Sequence, residues 1–487
     1  MDDRVLRIEV NGINVISGGE RRGSPRDLFW PWFAANVSVL AVSYGAFVLD
    51  FGISFWQAAV VSVTGIVVSA ALAGLIAVAG KRGSAPTMVL SRAAFGVRGN
   101  KLTAAISWLL NVGWETVITV LATLAIATVA GHLGWGGGTA TKVIALIVVV
   151  ALTIFGGVMG YSLIMRMMTV ITAVTTVLTA GFIVLAAHRI HWPAVAGLHA
   201  GPVQAVIGAL VFMMTSFGLG WTNMSADYSR YLPRRSSGAG IIGWTTAGIS
   251  LAPVVLVVFG LLLAGSSASL GSAVGADPIG ALAVLLPTWF LVPFAVVAVL
   301  GLISGSVLDI YSSGLALLTL GLRVPRYVAA LIDGTLMIAG TIYVVFWAGN
   351  FLAQFEGFLI TLGVPIAAWC GVMLADIALR HAGYAEPELY DPAGRYGDVR
   401  WFPVSLVLAA TAIGWGLVTN TSAGWLSWQG YLLGPAGLGG KTGAWAAANL
   451  GVLAALALGF LPALLASRSS VRSQETPPQP SLNPPGI

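Results

Sequence analysis

The chain has 487 residues, of which 57% are hydrophobic and only 9% are charged. Soluble domains carry about 25% charged residues, so this composition excludes a soluble globular protein and indicates a polytopic membrane protein. The net charge of +6 comes from basic residues dispersed among loops, which does not indicate a nucleic-acid partner, and the single Cys370 excludes an intramolecular disulfide.

Hydrophobic stretches of membrane-spanning length recur along the chain after a polar N-terminal segment, residues 1–29, that has no apolar core of the signal-peptide type. A transmembrane helix needs about 20 apolar residues. We predict an all-α protein with twelve transmembrane helices, at about 30–50, 54–79, 101–130, 141–159, 166–188, 203–227, 239–264, 285–320, 327–348, 352–379, 401–420 and 443–467.

Polar segments divide this chain further. Residues 380–400 form the longest polar loop after the N-terminus, and they separate a ten-helix core, residues 30–379, from helices 11 and 12, residues 401–467. The tail, residues 468–487, is rich in Pro, Gln and Ser, and such a composition is typical of disorder.

The distribution of Lys and Arg predicts the orientation in the membrane, because cytoplasmic loops carry an excess of both. With the N-terminus in the cytoplasm, only Lys142, Arg189 and Lys441 of the 24 basic residues face the outer side. The sequence therefore predicts cytoplasmic N- and C-termini, a cytoplasmic 380–400 loop and a multi-pass protein of the plasma membrane.

The ten-helix core divides into two groups of five helices, residues 30–188 and 203–379. Because five is odd, the second group enters the membrane from the opposite side, which predicts an inverted repeat related by an axis in the membrane plane. The first helix of each repeat is then expected to be interrupted. We predict the interruptions at Gly45 in the first half and at Gly218 and Gly220 in the second.

The second of these interruptions lies in the stretch TSFGLGWTNMSADYSRYLPRR, residues 215–235. Trp221 and Asn223 follow the glycines directly. An opened helix is tolerated in lipid only where its backbone faces protein or a water-filled cavity, so this stretch is a candidate substrate site near the bilayer midplane. The alternative is close helix packing, for which glycine is also common in membranes.

Ionisable side chains inside membrane helices are costly and are candidates for function. Glu115 lies well inside the third helix, and the sequence is equally compatible with a role in proton coupling and with a hydrogen-bonded role in helix packing. Asp309 shares a face of the eighth helix with three serines, so it can accept a hydrogen bond from a substrate, hold a proton or bind a cation. A helix–helix hydrogen-bond cluster is the alternative for Asp309, and we predict a structural role for Asp333.

Trp114 and Trp221 offer two flat aromatic faces, which suit a planar heterocycle that is polar at its rim. The sequence contains no H-E-x-x-H, no Walker loop and no G-x-S-x-G, so no enzyme is indicated. No selectivity-filter sequence of a channel is present either. We therefore expect a transporter rather than an enzyme or an ion channel.

Several stretches together resemble the first nucleobase:cation symporter family, the purine–cytosine permeases. The resemblance extends over helices one to eight and is carried by PRDLFWPWFAANVSVLAVSYGA leading into helix one, SRAAFGVRGN at 91–100, GWETVITVLAT at 113–123, FGLGWTNMSADYSRYLPR at 217–234 and LDIYSSGLALLTLGLRVPR at 308–326.

This resemblance implies a LeuT-like fold with a 5+5 inverted repeat plus two extra helices, and alternating access. It implies a ligand held between Trp114 and Trp221, beside Gly220. The family's amide on helix eight corresponds to Asp309, which is a charged acceptor in place of a neutral amide. The polar residue that follows the helix-three tryptophan by one turn is replaced by Ile118.

Further contacts follow from the same resemblance. Ser43 matches a polar contact on helix one, and Asn223 is expected at the ligand edge. Sodium-driven relatives place two adjacent hydroxyl residues on helix eight, where this chain has Ile303 and Ser304. A sodium site near Ser304 would thus lack one hydroxyl, and the alternative is proton coupling through Asp309 or Glu115.

These observations predict a secondary active transporter that imports cytosine or a related purine or pyrimidine nucleobase by proton or sodium symport. It is expected to need no cofactor beyond the coupling ion and to act as a monomer in the lipid bilayer. One alternative ligand class is another planar heterocycle, such as a hydantoin, allantoin or a vitamin precursor. The other alternative is an uncoupled, channel-like facilitator.

Overall fold

The computed structural model describes residues 8–348, 351–420 and 423–476, except for the side chains of residues 276 and 351–356. Within this part of the chain the structure is helical and contains no β-strand. The first seven residues of the predicted N-terminal segment, and residues 477–487 of the predicted tail, lie outside the described residues.

Sixteen helices make up the body of the molecule. They are α1 (Phe29–Asn36), α2 (Leu40–Leu49), α3 (Phe55–Gly83), α4 (Lys101–His132), α5 (Thr139–Met159), α6 (Tyr161–Ala186), α7 (Val203–Ser216), α8 (Gly218–Trp221), α9 (Ser225–Ser229), α10 (Gly238–Ser266), α11 (Leu291–Thr319), α12 (Arg326–Phe346), α13 (Phe351–Leu379), α14 (Trp401–Gly416), α15 (Leu450–Ala466) and α16 (Arg468–Glu475). Short helices in the connections are Thr87–Leu90, Arg92–Phe95, Trp192–Ala196, Ala268–Ala276 and Gly280–Ala283.

The number of membrane spans can be compared with the prediction. Across the described residues, nine segments are long and apolar enough to cross a membrane. Two bent pairs, α1–α2 with a 66° bend and α15–α16 with a 61° bend, bring the total to as many as eleven. The apolar helix α14 has only 16 residues. The all-α, polytopic class is confirmed, and the count of twelve stays a prediction.

The first interruption lies at residues 37–39, between α1 and α2. The prediction of a break at Gly45 is wrong, because α2 runs uninterrupted through that residue. Gly45 instead lets α2 approach α10 closely. A Cβ on Gly45 would lie 2.3 Å from the backbone nitrogen of Leu261. Sequence alone does not distinguish a glycine that allows close helix contact from a glycine at a helix break.

The second interruption lies at Phe217, between α7 and α8. The freed backbone N–H of Gly218 donates a hydrogen bond to Ser69 Oγ on α3 at 3.2 Å. Gly218 packs directly on the α3 backbone, since a Cβ there would lie 2.1 Å from the nitrogen of Ala70. Gly220 lies two residues further on, inside α8, so it does not itself interrupt the helix.

The two interruptions are enclosed by the longest helices. α11 packs along α4, and α10 packs along α3 and α2. The α1–α2 pair lies between these two groups, because α1 contacts both α10 and α11. Outside them, α13 packs against α15 and α14. The broken helices are therefore surrounded by protein at the depth where their backbone is open.

A single carboxylate on the predicted cytoplasmic side joins the two helix groups. Glu9 accepts hydrogen bonds from the hydroxyls of Tyr231 and, at 3.2 Å, Tyr311. It also forms ion pairs with Arg230 at 3.6 Å and with Arg326 at 3.9 Å. Arg230 and Tyr231 follow α9, whereas Tyr311 and Arg326 belong to α11 and α12. The N-terminal segment thus closes this side of the molecule.

The C-terminal segment departs from the prediction. Disorder from residue 468 onward is wrong for Arg468–Glu475, which form α16. Arg380 donates to Gln474 Oε1 at 2.7 Å, and Gln474 donates to the carbonyl of Ala93 at 3.0 Å. The composition of this segment does not reveal that it is ordered, because its contacts are polar and its partners lie far away in sequence.

The polar loop at 380–400 is ordered by local hydrogen bonds. It contains a short 3-10 helix, Glu386–Tyr390. Arg395 Nε donates to Glu388 Oε1 at 2.9 Å, and this hydrogen bond holds the pKa of Glu388 below its usual range. The loop therefore has a defined structure although it separates two helical units.

We predict that Glu9→Ala lowers the free energy of unfolding by about 3 kcal/mol or more, because it leaves two buried guanidinium groups without their carboxylate. Chemical unfolding in mixed micelles measures this. Glu20→Ala is the control, since Glu20 lies in the same segment and bonds only exposed groups, Asn11 and Ser17. Equal losses for both variants would contradict the account.

Candidate functional site: a cavity between the broken helices

A cavity of about 60 Å³ lies where the two interruptions meet α4 and α11. Both tryptophans that the sequence singled out, Trp114 and Trp221, line it, together with Gly220 and Asp309. Its other lining residues are Ala35, Asn36, Ser38, Leu40, Ala41, Tyr44, Ile118, Ser216, Phe217, Gly301 and Leu302. The cavity is thus formed by broken-helix backbone on one side and unbroken helices on the other.

Trp221 is held in orientation by helix α1. Its indole Nε1 donates a hydrogen bond to Asn36 Oδ1 at 3.2 Å, and the Asn36 amide donates to the carbonyl of Trp32 at 2.8 Å. The ring of Trp32 packs edge-on against Trp221, with centroids 5.5 Å apart. With its polar atom bonded away, Trp221 offers the cavity its apolar face.

Trp114 lies on α4, opposite the second interruption. A Cβ on Gly220 would lie 3.4 Å from Trp114 Nε1, so the glycine brings α8 close to the indole. The ring of Phe358 meets Trp114 edge-on at a centroid distance of 6.1 Å. These contacts define where the Trp114 ring lies within the cavity wall.

Asp309 supplies the charged group of the cavity. It is 1% exposed, and its Oδ2 has no hydrogen-bond partner among the residues whose side chains are described. Ile118, one turn beyond Trp114 on α4, adds an apolar wall beside it. A carboxylate oxygen without a partner in such surroundings is available to accept a hydrogen bond from a ligand.

Ser43, which was predicted to contact the ligand, does not line this cavity. Ser43 is fully buried, and its hydroxyl donates to the carbonyl of Pro278, away from the cavity. The next residue, Tyr44, lines the cavity instead. Neighbouring helical residues point about 100° apart, so an error of one residue moves a side chain to another face.

Tyr44 also belongs to an aromatic layer on the predicted extracellular side. Its ring contacts Phe217 at 5.0 Å and Phe212 at 5.7 Å between centroids. Beyond this layer a larger cavity of about 420 Å³ is lined by Asp50, Phe212 and, from the region before α15, Asn420. The aromatic layer therefore separates the inner cavity from an outer vestibule.

Asn223 was predicted at the ligand edge, and the structure places it elsewhere. It is 1% exposed, and its amide donates to Asn111 Oδ1 at 2.7 Å and to Ser107 Oγ at 2.8 Å. Ser107 and Asn111 precede Trp114 on α4, toward the predicted cytoplasmic side. Asn223 therefore joins the broken helix to α4 below the cavity, and it does not line the cavity itself.

The predicted cation position at Ser304 lies behind the first interruption. The Ser304 hydroxyl donates to the carbonyl of Ala34 and lies 2.8 Å from the carbonyl of Gly301. The carbonyl of Val37 also faces α11, since a Cβ on Gly301 would lie 2.7 Å from it. The buried neighbour Ile303 offers no oxygen. The chain thus presents carbonyls and the Ser304 hydroxyl here, and the side chain of Ser38 also lies close to Gly301.

Glu115 does not line the cavity, although it follows Trp114 directly. It is fully buried on the flank of α4 and faces Asp333 on α12 and Ser313 and Asp309 on α11. The structure therefore brings together Trp114, Trp221, Gly220 and Asp309 in one cavity, and it places Glu115 in the layer behind them.

The comparison with protein families bears on what this cavity serves. Residues 16–434, more than half of the chain, match the family described as "Permease for cytosine/purines, uracil, thiamine, allantoin". The chain belongs to this permease family. A relative from Bacillus subtilis (strain 168), named "Putative purine-cytosine permease YxlA", is 24% identical over 405 residues, which cover 81% of this chain and 85% of the relative.

Solved structures show that this permease has a LeuT-like fold. Mhp1, a nucleobase-cation-symport-1 family transporter, in a closed conformation with bromovinylhydantoin bound, superposes with a TM-score of 0.66 at 17% identity, covering 97% of this permease and 99% of Mhp1. A Na⁺-coupled sialic acid symporter, in a substrate-bound outward-open state, gives 0.60 at 12% identity, with 92% and 91% covered. The predicted family and fold are confirmed.

Asn36 and Tyr44 are among the lining residues of this permease that sequence reasoning missed. Asn36 carries a detectable signal, because it is an amide in an apolar stretch directly before the residues where helix one opens. Tyr44 adjoins Ser43, and no pattern in the sequence tells which of the two faces inward. Both depend on the position of the first interruption, which the glycines did not reveal.

We predict that Gly301→Ala destabilises this permease by about 1–3 kcal/mol, because the added Cβ lies 2.7 Å from the carbonyl of Val37 and forces α11 away from the interruption. Thermal unfolding in detergent measures this effect. Gly243→Ala on α10 is the matched control, since a Cβ there meets no atom within 4 Å. A Gly301→Ala protein as stable as Gly243→Ala would show that α11 does not support the interruption.

Proposed function

We propose that this permease imports cytosine or a related purine or pyrimidine nucleobase, by cation symport and alternating access, and releases it chemically unchanged. The observation that carries the proposal is that Trp114, Trp221 and the unpaired oxygen of Asp309 meet in one cavity between the interrupted helices. This combination provides aromatic faces for a flat ring and one strong acceptor for its rim.

The chemistry of a nucleobase fits these groups. Its ring faces are apolar enough to stack on Trp114 and Trp221. The exocyclic amino group and the ring N–H of cytosine are donors at opposite ends of the ring, and Asp309 can accept from either one. Ile118 lines the cavity at the position where the family has a polar residue, so this position offers the ligand an apolar contact instead. A lining of mostly apolar and aromatic side chains with a few placed polar groups is typical of small-molecule sites, and this cavity has such a lining.

A second ligand class is favoured by the same carboxylate. Asp309 suits a heterocycle that is rich in N–H donors or carries a positive charge. The family description names thiamine and allantoin besides nucleobases, and Mhp1 was solved with bromovinylhydantoin bound. Other planar heterocycles of this kind are therefore the alternative ligands. An uncoupled facilitator is the alternative mechanism, and accumulation above the outside concentration would exclude it.

The proposed setting is the plasma membrane, with the described N- and C-terminal segments on the cytoplasmic side and a monomer surrounded by lipid. Support comes from the Lys and Arg distribution. Glu9 pairs with Arg230 and Arg326, and α16 bonds to Arg380, so both segments pack on the side that carries these basic residues. Import then means movement from the 420 Å³ vestibule to the side closed by Glu9.

For the coupling ion we favour a proton over sodium. The carbonyls of Ala34, Val37 and Gly301 could face a sodium ion together with the Ser304 hydroxyl, but Ile303 replaces the adjacent hydroxyl residue of sodium-driven relatives. Asp309 and Glu115, in contrast, are buried carboxyl groups that can bind a proton. Uptake driven by a proton gradient, without sodium, tests this preference.

We predict that Trp221→Ala abolishes saturable uptake of labelled cytosine into proteoliposomes, because the ligand loses one stacking face. Trp401→Ala is the control, since Trp401 is 74% exposed on the outer surface of the helices. Both variants are compared at equal reconstituted protein. If Trp221→Ala took up cytosine as well as Trp401→Ala does, this cavity would not be the ligand site.

We predict that Asp309→Asn weakens cytosine binding about tenfold or more, since a hydrogen bond to a charged acceptor contributes about 1.5–3 kcal/mol. Competition by a panel of nucleobases and hydantoins measures the change in preference. Asp391→Asn, in the exposed loop, controls for the loss of a negative charge. If Asp309→Asn left the competition by every member of the panel unchanged, Asp309 would have a structural role only.

A further inference from the structure

Behind the cavity, three buried carboxyl groups lie on three helices that pack against one another. Glu115 lies on α4, Asp333 on α12 and Asp309 on α11. Their exposed fractions are 0%, 0% and 1%. The hydroxyl of Ser313, on α11, faces both Glu115 and Asp333. Asp309 alone of the three lines the ligand cavity, so the other two form a second layer.

Three of the four carboxyl oxygens of Glu115 and Asp333 have no hydrogen-bond partner among the described residues. Neither carboxyl oxygen of Glu115 has a hydrogen-bond partner among the described side chains and backbone. Asp333 Oδ1 accepts from Trp108 Nε1 at 2.7 Å, whereas its Oδ2 has no partner in the same set of residues. A buried polar group without a partner costs free energy, and a buried charge costs more.

Basic groups on the helices around this cluster are engaged elsewhere. Arg326, on α12, donates to the carbonyls of Gly157 and Val158 and pairs with Glu9. Lys101, at the start of α4, lies beside Gly321. Lys142 lies in the first turn of α5, which is on the predicted outer side of the membrane. None of the described residues therefore brings a positive charge to Glu115, and Asp309 and Asp333 are the charged groups that face it.

Three negative charges in a low-dielectric interior without a counter-charge cost free energy, so the cluster favours the uptake of a cation or a proton. No group of three or more His, Cys, Asp and Glu side chains in the described part of the chain has the geometry to hold a metal ion. A carboxylate that takes up a proton becomes a neutral acid, which removes one charge and supplies an O–H donor for a neighbouring oxygen.

We propose that Glu115 and Asp333 form the proton-binding site of this transporter, separate from the ligand site at Asp309. The proposal rests on the proposed symport and names its ion site. A proton binds to the Glu115 carboxylate when the cavity faces outward. After the change of conformation it passes by way of Asp333, beside Trp108, to the predicted cytoplasmic side, and the Glu115 carboxylate is regenerated. Charge and protons balance over this cycle, with one proton entering per proton released.

The first test separates coupling from ligand movement. Proteoliposomes carrying Glu115→Gln are compared for exchange of labelled against unlabelled cytosine and for uptake driven by an acidic outside. We expect exchange to stay within about twofold of wild type and driven accumulation to fall at least about tenfold, with Glu115→Asp restoring it. Driven accumulation equal to wild type would overturn the proposal, as would loss of exchange in a folded Glu115→Gln protein.

The second test does not depend on the ligand. Infrared spectra of the full-length protein show a carbonyl-stretching band for a protonated carboxyl group. We expect this band at neutral pH in wild type, its loss in Glu115→Gln and a shift in Asp333→Asn. An unchanged band in Glu115→Gln would overturn the proposal. Wild-type protein that shows the band but moves no nucleobase would contradict the proposed substrate and leave the proton site in place.

Discussion

The constraint on which this structure depends is that backbone groups opened inside a bilayer must find partners within the protein. The chain opens two helices, at residues 37–39 and at Phe217. Each interruption is met by a serine from an unbroken helix. Ser304 donates to the freed carbonyl of Ala34, and Ser69 accepts from the freed N–H of Gly218. Glycines then allow the close approach that these hydrogen bonds require, at Gly218 against α3 and at Gly301 against the first interruption.

The position of the cavity follows from these contacts. Because both interruptions face α4 and α11, the side chains at that depth, Trp114 and Asp309, become ligand-facing, and the residues after the second interruption bring Trp221 opposite them. The same arrangement leaves closures on both sides. The aromatic layer at Tyr44 separates the cavity from the vestibule, and the contacts of Asn223 with α4 and of Glu9 with two helix groups close the other side.

Part of this account was accessible from the sequence. The helical class, the family, the second interruption and the cavity residues Trp114, Trp221, Gly220 and Asp309 carry local signals, since tryptophan, a glycine pair and an intramembrane carboxylate are distinctive in an apolar stretch. The first interruption was not accessible, because residues 37–39 contain no glycine. Ser43 was matched to helix one by family resemblance, and the neighbouring Tyr44 lines the cavity instead. The predictions for Asn223 and for the C-terminal tail differ from the structure for another reason. Their partners, Asn111 and Ala93, lie more than a hundred residues away, and a single sequence does not reveal such pairs.

The most direct measurement of the central claim is a structure determined with bound ligand, using the member of a panel of cytosine, uracil, adenine, allantoin and hydantoin that binds most tightly. The account predicts the heterocycle in contact with the rings of Trp114 and Trp221, with an N–H donor within hydrogen-bond distance of Asp309. A ligand bound in the outer vestibule, or in the inner cavity without contact to either indole, would contradict it.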